Sequence, residues 1–286
     1  MKNVKYGLQD FKKDFPTEEA CLELIFSTLH SHKCSCGGTY KLISGRKQYQ
    51  CSKCRFQIAP TAGTIFHKSP TPLSLWFHSI WVFSNAKSGI SAKQLERQLG
   101  VTYKCAWRIL SLIRKALKQS NDQLSGVVET DVGYLGGQKN AGKNNINLSE
   151  AMKAKSVVLV AVQRGGKIKA QVSESATADE IEDFLKNNVT VGSILMTDTA
   201  KAYRRMDKGF DRFPVNHSKG EYVRGAFNVN TVETFFSHIK RSIRGTFKSV
   251  SKEYLQTYLD AFVFHYNNRY SDKGRFGVLM GTLLHA

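Results

Sequence analysis

Val127-Val128-Glu129-Thr130-Asp131-Val132-Gly133-Tyr134-Leu135 is the stretch on which the reading of this chain turns. Branched residues, which suit a pleated backbone, crowd its first half. Alternation along a strand puts Glu129 and Asp131 on one face, and either is placed to meet a metal ion. Further on, KSVVLVAVQ (155–163) and KIKAQVSES (167–175) read as two strands joined at Arg164-Gly165-Gly166, where glycine can take the positive φ of a hairpin turn. ADEIEDFLKNN (178–188) reads as a helix, SILMTD (193–198) as a short buried strand ending in Asp198, and FPVNHS (213–218) as a further strand. NTVETFFSHIKRSI (230–243) and SKEYLQTYLDAFVFHYNNR (251–269) read as helices, and KNAGKNNINLSE (139–150) as a polar loop. Strands first, then helices alternating with strands, predict an α/β domain with a mixed sheet over residues 126–286.

Upstream the pattern is different. FPTEEACLELIFSTL (15–29) is a short amphipathic helix inside an N-terminal helical segment, residues 1–30. Residues 31–68 hold Cys34-Ser-Cys36-Gly-Gly and, after 14 residues, Cys51-Ser-Lys-Cys54, among short runs such as GTYKLI and KQYQC that suit an antiparallel ribbon. Four thiolates in two close pairs match the tetrahedral sulfur site of a structural Zn²⁺, with His32 as an alternative to one thiolate. Cys21 and Cys105 sit in apolar helical surroundings and read as inert thiols. Pro70 and Pro72 mark the next boundary. Residues 69–120 then carry LSLWFHSIWVFSNA, SAKQLERQLG and YKCAWRILSLIRKALK, the last two joined across Gly100 in the manner of a helix-turn-helix. Polar residues 119–126 form a linker.

The chain has 286 residues and a formal net charge of +19. That excess is uneven: residues 31–120 contain 15 Lys or Arg against the single acidic residue Glu96. A surface so one-sided attracts a polyanion, and nucleic acid is the economical partner. Arg108, Arg114, Lys115 and Lys118 on the second helix of the pair are the candidate DNA contacts there. No apolar run approaches the roughly 18 residues of a membrane span, and the N-terminus lacks a signal-peptide core, which places the chain in the cytoplasm.

Glu233 lies within the helix that starts near residue 230, so three acids fall in the order strand, strand end, helix: Asp131, Asp198, Glu233. In a mixed sheet that order can bring three carboxylates to one point, where hard cations such as Mg²⁺ or Mn²⁺ bind oxygen. Lys240, two helical turns after Glu233, shares its face, and with Arg241 and Arg244 offers cations for phosphates. No nucleotide-binding glycine loop or Ser-His-Asp set competes with this arrangement.

With these residues in view, the chain resembles the bacterial insertion-sequence transposases that join an N-terminal zinc ribbon to a DDE domain, the ISXO2-like group. The resemblance runs over roughly residues 20–270. It rests on the cysteine ribbon with TAGTIFHKSPTPLSLW, on GISAKQLERQLGVTYKCAWRIL, VETDVGYLGG and TDTAKAY, and on the long segment from FPVNHSKGEYVRGAFNVNTVETFF to YNNR. It implies an RNase H-like catalytic fold, Mg²⁺- or Mn²⁺-dependent chemistry by Asp131, Asp198 and Glu233, and terminal inverted repeats and target duplex DNA as substrates. It further implies a homo-oligomer pairing two DNA ends. Asn230 and His217 fall in segments of close similarity without an assigned role. The chain departs from the group's pattern at Val132, where an acid is usual, at Thr199-Ala200, where Gly-Trp is usual, and at Thr234-Phe235-Phe236, where Gly-Phe-Trp is usual. Two alternative functions stay open: a DNA-binding regulator with a decayed catalytic domain, and a nuclease that cuts without joining.

Overall fold

A computed structural model describes residues 5–136, 155–214 and 230–286. The chain divides into two compact units, one of residues 1–117 with 268–286 and one of residues 118–267.

In the first unit α1 (Leu8–Asp14) and α2 (Glu18–Leu29) precede a three-stranded antiparallel ribbon of β1 (Tyr40–Leu42), β2 (Tyr49–Cys51) and β3 (Gln57–Ile58). Helices α3 (Leu73–Asn85), α4 (Ala92–Leu99) and α5 (Tyr103–Ala116) follow. Helix α3 starts after Pro72, which offers no side-chain acceptor, so its first N–H groups need one from elsewhere. Glu18 supplies it, accepting from Leu73 N at 2.7 Å and Ser74 N at 2.9 Å. Between α4 and α5 the chain turns in three residues: Gly100 takes a left-handed conformation (φ 66°) that closes α4, and the Thr102 hydroxyl accepts from Cys105 N to open α5.

The final helix of the chain, Asp272–Leu284, belongs to this unit rather than to the 126–286 domain that the sequence pattern suggested. Buried Arg275 ties it down, donating to the carbonyls of Ser84 at 2.9 Å and Asn268 at 3.1 Å. Three glycines, Gly274, Gly277 and Gly281, lower its intrinsic helix propensity and hide its pattern, and packing of Phe276 against Tyr6, Phe11 and Phe15 overrides them.

The second unit is built on a five-stranded sheet in the order β6-β5-β4-β7-β8, with β4 (Val127–Leu135), β5 (Ser156–Gln163), β6 (Ile168–Ser173), β7 (Ile194–Thr197) and β8 (Asp211–Pro214). Strands β5 and β6 form the expected antiparallel hairpin, with Gly165 at φ 69°, β4 pairs antiparallel with β5, and β7 and β8 run parallel to β4. The last of these starts at Asp211, two residues ahead of the reading, and residues 215–218 of that reading lie outside those described. Helices α6 (Ala178–Asn188), α7 (Asn230–Ser242) and α8 (Lys252–Asn267) cover the sheet. Val160, Met196, Val232, Phe236 and Phe262 pack on one face, and Val128, Leu159, Leu195, Phe184 and Tyr203 on the other.

An edge strand carries unpaired backbone groups. On β6 they are taken by side-chain amides: Asn267 bonds both N–H and carbonyl of Ile168, Gln119 those of Ala170, and Gln256 accepts from Val172 N. Gln119 and Gln256 also donate to Asp260, whose carboxyl burial holds above the usual carboxylate range despite those bonds. An acid with a raised folded-state pKa stabilises the fold while protonated and loses that contribution as pH rises through the raised value. Asp260→Asn, which keeps the accepting oxygen, is therefore expected to raise the urea midpoint at pH 7, with the gain shrinking toward pH 4; a pH-independent change would show that Asp260 carries no burial penalty.

Candidate functional site

The ribbon brings its four cysteines together through two turns. Gly37 N donates to the Cys34 carbonyl, and Cys34 N bonds the Gly38 carbonyl. Gly38 has to be glycine, because a Cβ there would stand 2.5 Å from Cys51 Sγ. In the second turn Arg55 adopts φ 64° as its N–H reaches the Cys51 carbonyl. Sulfurs of Cys34 and Cys54 lie 3.7 Å apart and those of Cys36 and Cys51 3.4 Å apart, all four within 4.8 Å of one another. A tetrahedral Zn²⁺ with bonds of about 2.3 Å requires sulfurs about 3.8 Å apart, so the set fits zinc with no open position. The Tyr40 hydroxyl helps hold the Cys34 thiol down to about 6, toward the thiolate that a metal needs. His32 is not a fifth candidate: its Nε2 pairs with Glu23 at 2.9 Å. Cys21 is fully buried, which pushes its thiol up to about 12, and Cys105 lies 3.4 Å from the Thr71 hydroxyl.

In the second unit the sheet register decides which carboxylates meet. Strands β4 and β7 pair Val127 with Ile194, Val128 with Leu195 and Glu129 with Met196. The pairing ends there: Asp131 lies two residues further along β4, and Asp198 follows directly after the last residue of β7. Both are half-buried. By alternation Asp131 shares the face of Leu135, which with Met196 packs against Val232 and Phe236 of α7. Asp198 turns its Oδ1 to Ala200 N at 2.9 Å, closing the turn after β7. Tyr203 lies buried on the other face; burial and then the negative charges of Asp131 and Asp198 push its phenol far above the ordinary range, so it stays protonated.

Glu129 does not share the role that alternation allowed it. It is fully buried, and its carboxylate is bound to Arg164 and to the first turn of α7. Glu233 lies exposed in that same first turn. Among the described residues the cysteine set is the only group of three or more His, Cys, Asp or Glu gathered within 4.8 Å, so Asp131, Asp198 and Glu233 are not drawn together to that degree. Asp131 is placed by the sheet, Asp198 by the turn that follows β7, and Glu233 by the seating of a helix.

Of the expected DNA contacts, Arg108, Lys115 and Lys118 are exposed, but Arg114 is 5% exposed and lies among the buried residues of α5. Its position one turn from Leu110 puts it on the packed face, which the run of basic residues concealed. Tyr103 and Trp107, which composition did not single out as contacts, are exposed on α5, with Lys93 Nζ 5.8 Å from the Tyr103 ring. Lys240, Arg241 and Arg244 are exposed, and Lys240 Nζ lies 5.8 Å from the Phe236 ring. His217 lies outside the described residues, and no helix among those described is long and apolar enough to cross a membrane.

A mixed sheet with an antiparallel β4-β5-β6 meander, parallel strands beyond it and helices on both faces resembles an RNase H-like fold, here following a four-cysteine zinc-binding module. The chain belongs to the ISXO2-like transposase domain family, whose model matches residues 123–267. An uncharacterized protein in transposable element ISH50 of Halobacterium salinarum is 29% identical over 238 residues, covering 79% of each chain. Among solved structures, the Mos1 strand transfer complex overlaps with a TM-score of 0.31 at 11% identity over 72% of this chain and 74% of that one. The Mos1 paired-end complex with the left transposon end gives 0.30 at 10% identity, over 72% and 75%. Overlaps of that size add nothing to the assignment.

Elemental analysis of the full chain purified without chelator should find zinc, and Cys51→Ser should remove it. Structural zinc contributes on the order of 10 kcal/mol of binding free energy, so the ribbon should become protease-sensitive in that variant. A zinc-free wild type that resists protease equally would overturn the assignment.

Proposed function

We propose that this chain is a DNA transposase that cleaves at the ends of a mobile element and joins them to target DNA, using Asp131, Asp198 and Glu233. The observation that carries the reading is the β4–β7 register, which supports Asp131 and Asp198 as a side-by-side pair facing the helix of Glu233. Two carboxylates, one midway along β4 and one directly after β7, suit Mg²⁺ or Mn²⁺, which take oxygen ligands and retain water. Such ions, when bound, activate an attacking oxygen and stabilise a departing one at phosphorus.

The chain's own residues would act by placement. Asp131 and Asp198 present oxygens from a rigid sheet, Glu233 adds a third from α7, and Lys240, Arg241 and Arg244 on and after that helix neutralise phosphates of the strand being cut. Water attacks the phosphorus at the element's end, the bond to the 3′ oxygen breaks, and a 3′-hydroxyl is released. That hydroxyl then attacks a target phosphodiester, displacing the target's own 3′ oxygen. No protein nucleophile is required, since positioning and charge neutralisation dominate phosphoryl transfer. In the first unit, α4 and α5 serve as a helix-turn-helix, with Tyr103, Trp107, Arg108 and Lys115 of α5 turned to duplex DNA and Lys118 just beyond it. Two DNA ends paired by a homo-oligomer complete the assembly.

With labelled terminal-repeat duplex and Mg²⁺, the wild type should yield cleaved and joined strands, and Asp198→Asn should lower both by about a hundredfold or more. Cleavage without joining favours a nuclease; tight binding without either favours a regulator. Lys115→Ala should weaken duplex binding across sequences and reduce the slope of log K against log salt by about 1. An unchanged slope would exclude Lys115 from the phosphate contacts.

A further inference from the structure

The carboxylate of Glu129 lies on the central strand, two residues before Asp131, with 0% exposure. An ionised group in such a place needs every lone pair answered. Its Oε1 accepts from Arg164 Nε at 2.9 Å and from the Thr231 hydroxyl at 2.9 Å, and its Oε2 from Thr231 N at 2.8 Å and Val232 N at 3.3 Å. Thr231 and Val232 belong to the first turn of α7, whose N–H groups have no partner inside the helix and where negative charge is favoured. Glu129 thus does for α7, across the sheet, what a capping side chain does within a helix.

A second point of attachment lies two residues beyond Asp131. A Cβ on Gly133 would stand 2.2 Å from the Phe236 ring, so α7 crosses β4 there at a distance only glycine permits. The two attachments bracket Asp131 on the strand, and on the helix Thr231–Val232 and Phe236 bracket Glu233. Strand and helix are each held on both sides of the carboxylate they carry.

We infer that Glu129 is a positioning residue: by capping α7 from strand β4, it sets where Glu233 stands relative to Asp131 and Asp198, without itself binding a metal. The inference rests on the proposed role of those three carboxylates. Glu129→Gln keeps the volume and one accepting oxygen but places an amide donor against the N–H groups of α7 and removes the charge that faces Arg164. The helix start is released, and with it the third carboxylate.

The test is a titration of the full chain with Mn²⁺ alone, following the free-ion resonance, on the wild type, Asp198→Asn, Glu129→Gln and Thr231→Val. Phe184→Leu, on the opposite face of the sheet, serves as a destabilised control, and thermal midpoints are recorded for all. Wild type should bind Mn²⁺ in a manner that Asp198→Asn abolishes, Glu129→Gln should weaken binding by about tenfold, Thr231→Val should weaken it less, and Phe184→Leu should leave it unchanged. If Glu129→Gln fails to fold, Thr231→Val decides alone, and unchanged affinity there overturns the inference. Wild-type binding with an unaltered Glu129→Gln, or an equal loss in Phe184→Leu, overturns the positioning role and leaves the metal reading standing. A wild type without Asp198-dependent binding overturns the metal reading, and the inference with it.

Discussion

Parallel pairing of β4 with β7 is the constraint on which the second unit depends. It makes β4 a central strand, buried on both faces, and it brings the end of β7, with Asp198 just beyond, beside the strand that carries Asp131. A slip of one residue would turn every β7 side chain to the opposite face, taking Leu195 away from Phe184 and Tyr203 and putting Met196 in its place. Hydrophobic burial on two faces therefore holds the register of β7, and with it the point at which Asp198 leaves the sheet.

The same logic places the acids that are not meant for solvent. Glu18 in the first unit and Glu129 in the second both spend their oxygens on the opening N–H groups of a helix from another element. The helix that Glu18 serves has no capping side chain of its own at Pro72. A carboxylate used in this way is recognisable only in three dimensions: along the chain, Glu129 and Thr231 are 102 residues apart.

Much of this architecture was legible in the residues. The apolar, β-branched strands β4, β5 and β6, the cysteine pairs and the helix carrying Glu233 follow from patterns whose physical cause is local. What was not legible depended on long-range packing. Arg114 carries the same charge as Lys115 yet is buried, because helical geometry turns it to the packed face. The glycine-bearing helix Asp272–Leu284 has a weak local signal and is held by Arg275 and by aromatic neighbours from the start of the chain. Alternation made Glu129 and Asp131 equivalent, and only the arrival of α7 distinguishes them.

The return of that last helix to the first unit makes the second unit an insertion, entered at residue 118 and left at 267. Entry and exit are fastened two residues apart on β6, through Gln119 to Ala170 and Asn267 to Ile168. Closing a loose loop of about 150 residues costs roughly 4 kcal/mol of chain entropy. Once the inserted unit is folded, its two ends are already neighbours, and the first unit recovers its final helix as though across a short connection. The two units are thereby coupled in folding order through connectivity alone: a chain whose five-stranded sheet has not formed bears an entropic handicap in completing the unit that holds its cysteine ribbon.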